Sequence, residues 1–159
     1  MKIYQAIRED HDIQRDLLKQ LKSTSPTSSE GQELWKELKK ELEVHEVAEE
    51  RYFYSPLIDT DEMQEDARHG MAEHHEIDEL IQEVDKSDKT STEWMENLKK
   101  LEEKVLHHLK DEEEEFFEKA KGIYDSDEAD SLADGYEATM KEYRAGWPDS
   151  IPGSDSEVE

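Results

Sequence analysis

Two segments of this 159-residue chain repeat at an offset of 63 residues, and that repeat constrains the fold more than any other feature. From His45 the chain reads His-Glu-Val-Ala-Glu-Glu-Arg-Tyr-Phe-Tyr, and from His108 it reads His-Leu-Lys-Asp-Glu-Glu-Glu-Glu-Phe-Phe. Both segments place Glu four and five residues after the histidine, Phe eight after it and an aromatic residue nine after it. A second pair keeps the same offset. Asp10-His11 precedes Leu17 and Leu18, and Glu73-His74 precedes Leu80 and Ile81. The chain is therefore read as a doubled helical hairpin, each half supplying a single histidine and then a His-x-x-x-Glu pair.

Apolar residues recur at helical spacing throughout, with no alternating strand pattern. Ile3, Ile7, Ile13, Leu17, Leu18 and Leu21 mark a first helix, which the run from Ser23 to Ser29 ends. A second begins near Gln32, carries Leu34, Leu38, Leu42 and Phe53, and weakens near Pro56. A third spans about Met63 to Asp85. A fourth spans about Glu93 to Lys121, with Ser91 or Thr92 as N-cap and Gly122 as C-cap. Short connections predict an all-α, up-down-up-down four-helix bundle over residues 1–122. Residues 123–145 are expected to form a short fifth helix packed on the outside through Leu132, Tyr136, Met140 and Tyr143. Residues 146–159 are expected to be a disordered acidic tail.

Positions i and i+4 of a helix differ by about 40°, so the two side chains leave one face a single turn apart. In helix two the pair His45/Glu49 lies in the apolar stripe of Leu38, Leu42 and Phe53. In helix four His108/Glu112 lies in that of Leu101, Val105 and Phe116. A carboxylate on a buried stripe is costly unless paired or bound to metal. The candidate ligands are His11, His45, Glu49, His74, His108 and Glu112. His75 is the alternative to His74, and the apolar match with helix one favours His74. If each of two metals takes two histidines and shares both carboxylates, six-coordinate iron keeps two open positions, whereas tetrahedral zinc keeps none. The count favours reactive iron or manganese over structural zinc.

Composition agrees with a metal-dependent core. Leu, Ile, Val and Phe account for only 29 of 159 residues, against 45 acidic and 20 basic ones. A core that thin needs another source of stability, and metal binding adds to folding free energy. The net charge of −25 repels nucleic-acid backbones and anionic membrane surfaces. The absence of cysteine excludes disulfides, thiolate metal sites, Fe–S clusters and cysteine nucleophiles. With no apolar run of membrane-spanning length and no signal-peptide core at the N-terminus, a cytoplasmic location is expected.

The constellation resembles the hemerythrin-like, or HHE cation-binding, family over roughly residues 1 to 121. The resemblance implies a four-helix fold and a non-haem centre of two iron ions, oxo- or hydroxo-bridged, that binds oxygen, nitric oxide or peroxide species. It carries the ligand roles onto the same six residues. The departures are specific. The oxygen carriers place two histidines four apart in helix three, where this chain has His74 and Asp78. They use an aspartate five after the helix-four histidine, where this chain has Glu113, with Glu112 at four. The pattern is closer to the bacterial iron-repair and stress proteins of the family. Nitrogen-rich ligation puts binding or sensing ahead of turnover of peroxide or nitric oxide, with a metal-stabilised structural module as a third reading.

Ferritin-type sites differ, because they use Glu-x-x-His with carboxylates in excess. The remaining polar residues have plainer readings. His69 and His107 are expected at the surface or flanking. Glu50 and Glu113, 100° beyond Glu49 and Glu112, are expected on the surface, with a hydrogen bond to a ligand imidazole as the alternative. Tyr4 and Tyr54 are candidate donors to a bound oxygen species.

Overall fold

The computed structural model of the chain describes residues 1–147, and among them there is no strand. Five helical rods run through it. The first, α1, is Ile3–Lys22. The second, α2, is a rod in three segments: an α-helix over Ser29–Glu49, a π-helical turn over Glu50–Tyr54 and a final α-turn over Ser55–Ile58. The third, α3, is Gln64–Lys86. The fourth, α4, repeats the construction of α2: Thr92–Asp111, a π-turn over Glu112–Phe116, then Phe117–Ala120. The fifth, α5, is Ser126–Gly146.

Local chemistry explains the ends. Ser28 accepts from the Gly31 N–H at 3.0 Å and starts α2, and Ser91 accepts from the Glu93 N–H and starts α4. Asp125 and Glu128 form a reciprocal capping box at the head of α5. Pro56 falls in the first turn after the π segment, where a missing N–H is tolerated. The helix therefore runs two residues past the proline, to Ile58. Each connection between rods is short, which makes successive helices antiparallel neighbours and gives the up-down-up-down order.

The fifth helix, at 21 residues, is close to α1 and α3 in length, falls short of the longer α2 and α4 rods, and lies against α1 and α2. Its Ala129, Ala133, Tyr136, Met140 and Tyr143 are buried. Of the expected tail, Gly146 closes α5 and Trp147 packs partly buried against the core, while residues 148–159 lie outside the described residues.

The apolar interior is divided in two. One cluster holds Leu17, Leu18, Leu38, Leu42, Ile77, Ile81, Trp94, Leu101, Val105 and their neighbours. The other is aromatic, built on Ile3, Ile7, Phe53, Tyr54, Phe116, Phe117 and Tyr136. A layer of buried His and Glu side chains separates them. Along α1, His11 falls between Ile7 and Leu17, and along α3, His74 falls between Ala67 and Ile77. Each bundle helix thus gives up one turn of apolar packing to the polar layer, which is why the core is thin.

Candidate metal centre

The six residues singled out by the repeat all enter that layer, and all are at most 2% exposed. They assemble into two overlapping groups. His11, His45, Glu49 and Glu112 each offer a ligand atom, and these atoms lie within 4.8 Å of one another. Glu49, His74 and His108 do the same. The imidazoles pair within hairpins, with ring centroids 5.2 Å apart for His11 and His45 and 4.9 Å apart for His74 and His108. The carboxylates lie between the pairs. Glu49 Oε1 is 2.9 Å from His74 Nε2 and 3.5 Å from His45 Nε2. Glu112 Oε1 is 3.0 Å from His11 Nε2, and its Oε2 is 3.6 Å from His108 Nε2. Both glutamates sit where the π-turns begin, a geometry frequent at functional sites.

Every imidazole is held from behind. His11 Nδ1 meets Glu113 Oε2 at 2.6 Å, His74 Nδ1 meets Glu50 Oε2 at 2.7 Å, and His108 Nδ1 meets Glu73 Oε1 at 2.8 Å. His45 Nδ1 meets the Tyr136 hydroxyl at 2.6 Å. An ionised carboxylate only accepts, and the Tyr136 hydroxyl already donates to Asp10 Oδ2 at 2.6 Å. All four Nδ1 atoms therefore carry the proton, which turns each Nε2 lone pair toward the centre.

Those inward atoms have no hydrogen-bond partner. Nε2 of His11, His45, His74 and His108, both oxygens of Glu49, and Oε1 of Glu112 are buried and unsatisfied. The short approach of His11 to Glu112 lies outside hydrogen-bond geometry. The remaining Glu112 oxygen accepts from the Tyr54 hydroxyl. Buried polar groups are otherwise almost always paired. So many orphans around one space need a common partner, and a cation suits lone pairs and carboxylates alike.

The electrostatics are those of a site short of positive charge. Burial alone would depress His11, but the Glu112 and Glu113 carboxylates outweigh it and raise its pKa to about 9. His74 and His108 move the same way against their burial, each through Glu49, with Glu50 helping at His74 and Glu73 at His108. Burial and the charge of Glu49 together push Glu112 up. Burial also opposes ionisation of Glu73 and Glu113, yet His108 and Lys104 hold Glu73, and His11 and Arg15 hold Glu113, at about 2. A proton and a cation compete for the same imidazole nitrogens.

Several residues differ from the sequence expectation. Glu50 and Glu113 are not surface residues without a task, because each accepts from an imidazole on a neighbouring helix. Tyr136 is not merely outer packing. Tyr54 donates to Glu112 instead of facing an open ligand position, while Tyr4 packs against Phe53 and Phe117 with a buried hydroxyl lacking a partner. Gly70 makes room for Tyr54: a Cβ there would stand 2.6 Å from its hydroxyl and overlap its ring. His75, His69 and His107 are exposed, so of the two candidates in helix three it is His74 that joins the cluster.

Fold and site together define a helical-bundle protein with a buried His/Glu cluster compatible with metal binding. The family profile described as Hemerythrin HHE cation binding domain matches residues 2–120, and the chain belongs to that family. The fold is similar to the crystal structure of a hemerythrin HHE cation binding domain-containing protein, an Rv2633c homologue, from Mycobacterium kansasii. That likeness has a TM-score of 0.82 at 18% identity and covers 91% of this chain and 88% of the other. No curated protein matches the sequence. No described helix is long and apolar enough to cross a membrane.

Proposed function

We propose that this chain is a non-haem di-iron protein that binds or senses dioxygen, nitric oxide or peroxide, in oxidative or nitrosative stress or in iron handling. The observation that carries the proposal is the set of buried Nε2 and carboxylate atoms left without partners around one space. His11 and His45 would hold one iron and His74 and His108 the other, with Glu49 and Glu112 shared. Four imidazoles and two carboxylates fit a borderline divalent ion with coordination positions to spare. Such a pair, when bound, supplies open positions for a small ligand and one-electron redox chemistry.

The protein's own residues orient and shield. Glu50, Glu73, Glu113 and Tyr136 fix the imidazole tautomers. Phe53, Phe116, Phe117 and Tyr54 close the layer from one side and exclude water. Nitrogen-rich ligation gives less charge compensation for high-valent iron, which favours ligand binding over demanding oxidation. The test is metal content after iron supplementation, with an absorption spectrum that azide perturbs. Tight zinc with no ligand-sensitive spectrum would point instead to a metal-stabilised structural module.

A second reading, consumption of peroxide or nitric oxide at the same site, is favoured by the Tyr54 hydroxyl, a buried proton donor on Glu112. Sustained oxygen evolution from peroxide, abolished in His45→Ala, would separate turnover from binding.

A further inference from the structure

The repeat is broken at one hydrogen bond, and the break involves α5. By the 63-residue offset Asp10 is the counterpart of Glu73, and His45 that of His108. Glu73 accepts directly from His108 Nδ1 at 2.8 Å. Asp10 is one methylene shorter, and the Tyr136 hydroxyl fills the gap. That hydroxyl accepts from His45 Nδ1 at 2.6 Å and donates to Asp10 Oδ2 at 2.6 Å. Two turns further along α5, Arg144 binds Asp10 Oδ1 at 2.8 Å and both oxygens of Glu41 at 2.7 and 2.9 Å. The hydroxyl of Tyr136 is thus fixed from α1 and α2 at once.

We infer that Tyr136 is a positioning residue for His45, and that it makes the His11/His45 position the weaker of the two metal positions. The inference rests on the metal reading given above. A carboxylate acceptor makes a ligating imidazole more basic than a neutral phenol does. At the His74/His108 position both imidazoles face carboxylates, Glu50 and Glu73. At the His11/His45 position only His11 does. Cations do not offset the difference: Arg15 lies 3.0 Å from Glu113 and Arg144 lies 2.8 Å from Asp10 at the His11/His45 position, against Lys104 at 3.3 Å from Glu73 at the other. His45 therefore meets a neutral hydroxyl where its counterpart His108 meets the carboxylate of Glu73.

The test is an anaerobic titration of full-length, chelator-stripped protein with ferrous iron, in competition with a chromophoric chelator. Wild type should show two equivalents of unequal affinity. Tyr136→Phe keeps the ring against His45 and removes only the hydroxyl. It should weaken the second equivalent by about 10- to 100-fold and leave the first unchanged. Combining it with Asp10→Glu supplies the longer carboxylate that Glu73 provides in the other half, and should restore the second equivalent. A purely structural role for Tyr136 would weaken both equivalents, lower helicity, and resist that rescue. Equal losses in both equivalents, wild-type binding in Tyr136→Phe, or a double variant no better than the single would each overturn the inference. Wild type taking up no iron would overturn the metal reading and this inference with it. Two equivalents in wild type with an unaffected Tyr136→Phe would overturn the inference alone.

Discussion

Glu49 Oε1 lies 2.9 Å from Nε2 of His74, a residue of the opposite hairpin, while the same oxygen is 3.5 Å from His45 one turn back on its own helix. Neither atom has a hydrogen-bond partner. The two halves of the repeat therefore meet through carboxylates that each reach across the bundle, and the polar layer they form divides the apolar core.

Stability should depend on the occupant of that layer. A ligand present at about a thousandfold over its Kd contributes about 4 kcal/mol, worth on the order of 10 °C in a domain of this size. Chelation should lower the melting temperature by that order, and Glu112→Ala should do the same without chelator. Calorimetry with and without chelator checks this. Coincident transitions would contradict it.

Gly70→Ala sets two effects against each other. Helix propensity favours alanine by about 1 kcal/mol. The added Cβ, however, would overlap the fully buried Tyr54 ring, and overpacking costs about 1–3 kcal/mol. Net destabilisation is expected in chemical denaturation. Gly122→Ala, whose Cβ would meet only the Lys119 carbonyl at 3.4 Å, serves as the near-neutral control.

Tyr54→Phe removes the donor to a buried Glu112 oxygen. In metal-free protein this should cost about 1–3 kcal/mol, the penalty for stranding a buried acceptor. Denaturation in chelator measures it, and an unchanged midpoint would count against the contact.

At the far end of the bundle, Asp85 accepts from Trp35 Nε1 at 2.7 Å and pairs with Lys39 at 2.6 Å. Asp85→Ala should cost about 1 kcal/mol of stability and leave metal content unchanged. A loss of metal would mean the two apolar clusters are more tightly coupled than their separation implies.

Much of this was legible in the residues. The 63-residue offset, the i,i+4 spacing and the apolar stripes were sufficient to nominate all six residues that converge in the polar layer, because each signal is local to one helix. The partners behind the imidazoles were only partly legible: for Glu50 and Glu113 the contact stood as the alternative to a surface placement. A helical wheel places Glu113 100° beyond Glu112 but does not say that α1 and its His11 lie at that angle. Glu50 is partly exposed and also accepts from His74 of α3, and the wheel alone could not choose between those two readings. Tyr136 read as one apolar residue among Leu132, Met140 and Tyr143, and only the docking of α5 on α1 and α2 brings it to His45. The continuation of α2 past Pro56 depends on a π-turn that propensity does not forecast.

The central claim is tested most directly by the metal content of protein expressed with iron and purified without chelator, beside Glu49→Ala. A pair of iron ions per chain in the wild type, largely lost in the variant, is the predicted result. Less than one metal ion per chain in the wild type, or equal content in both proteins, would contradict it.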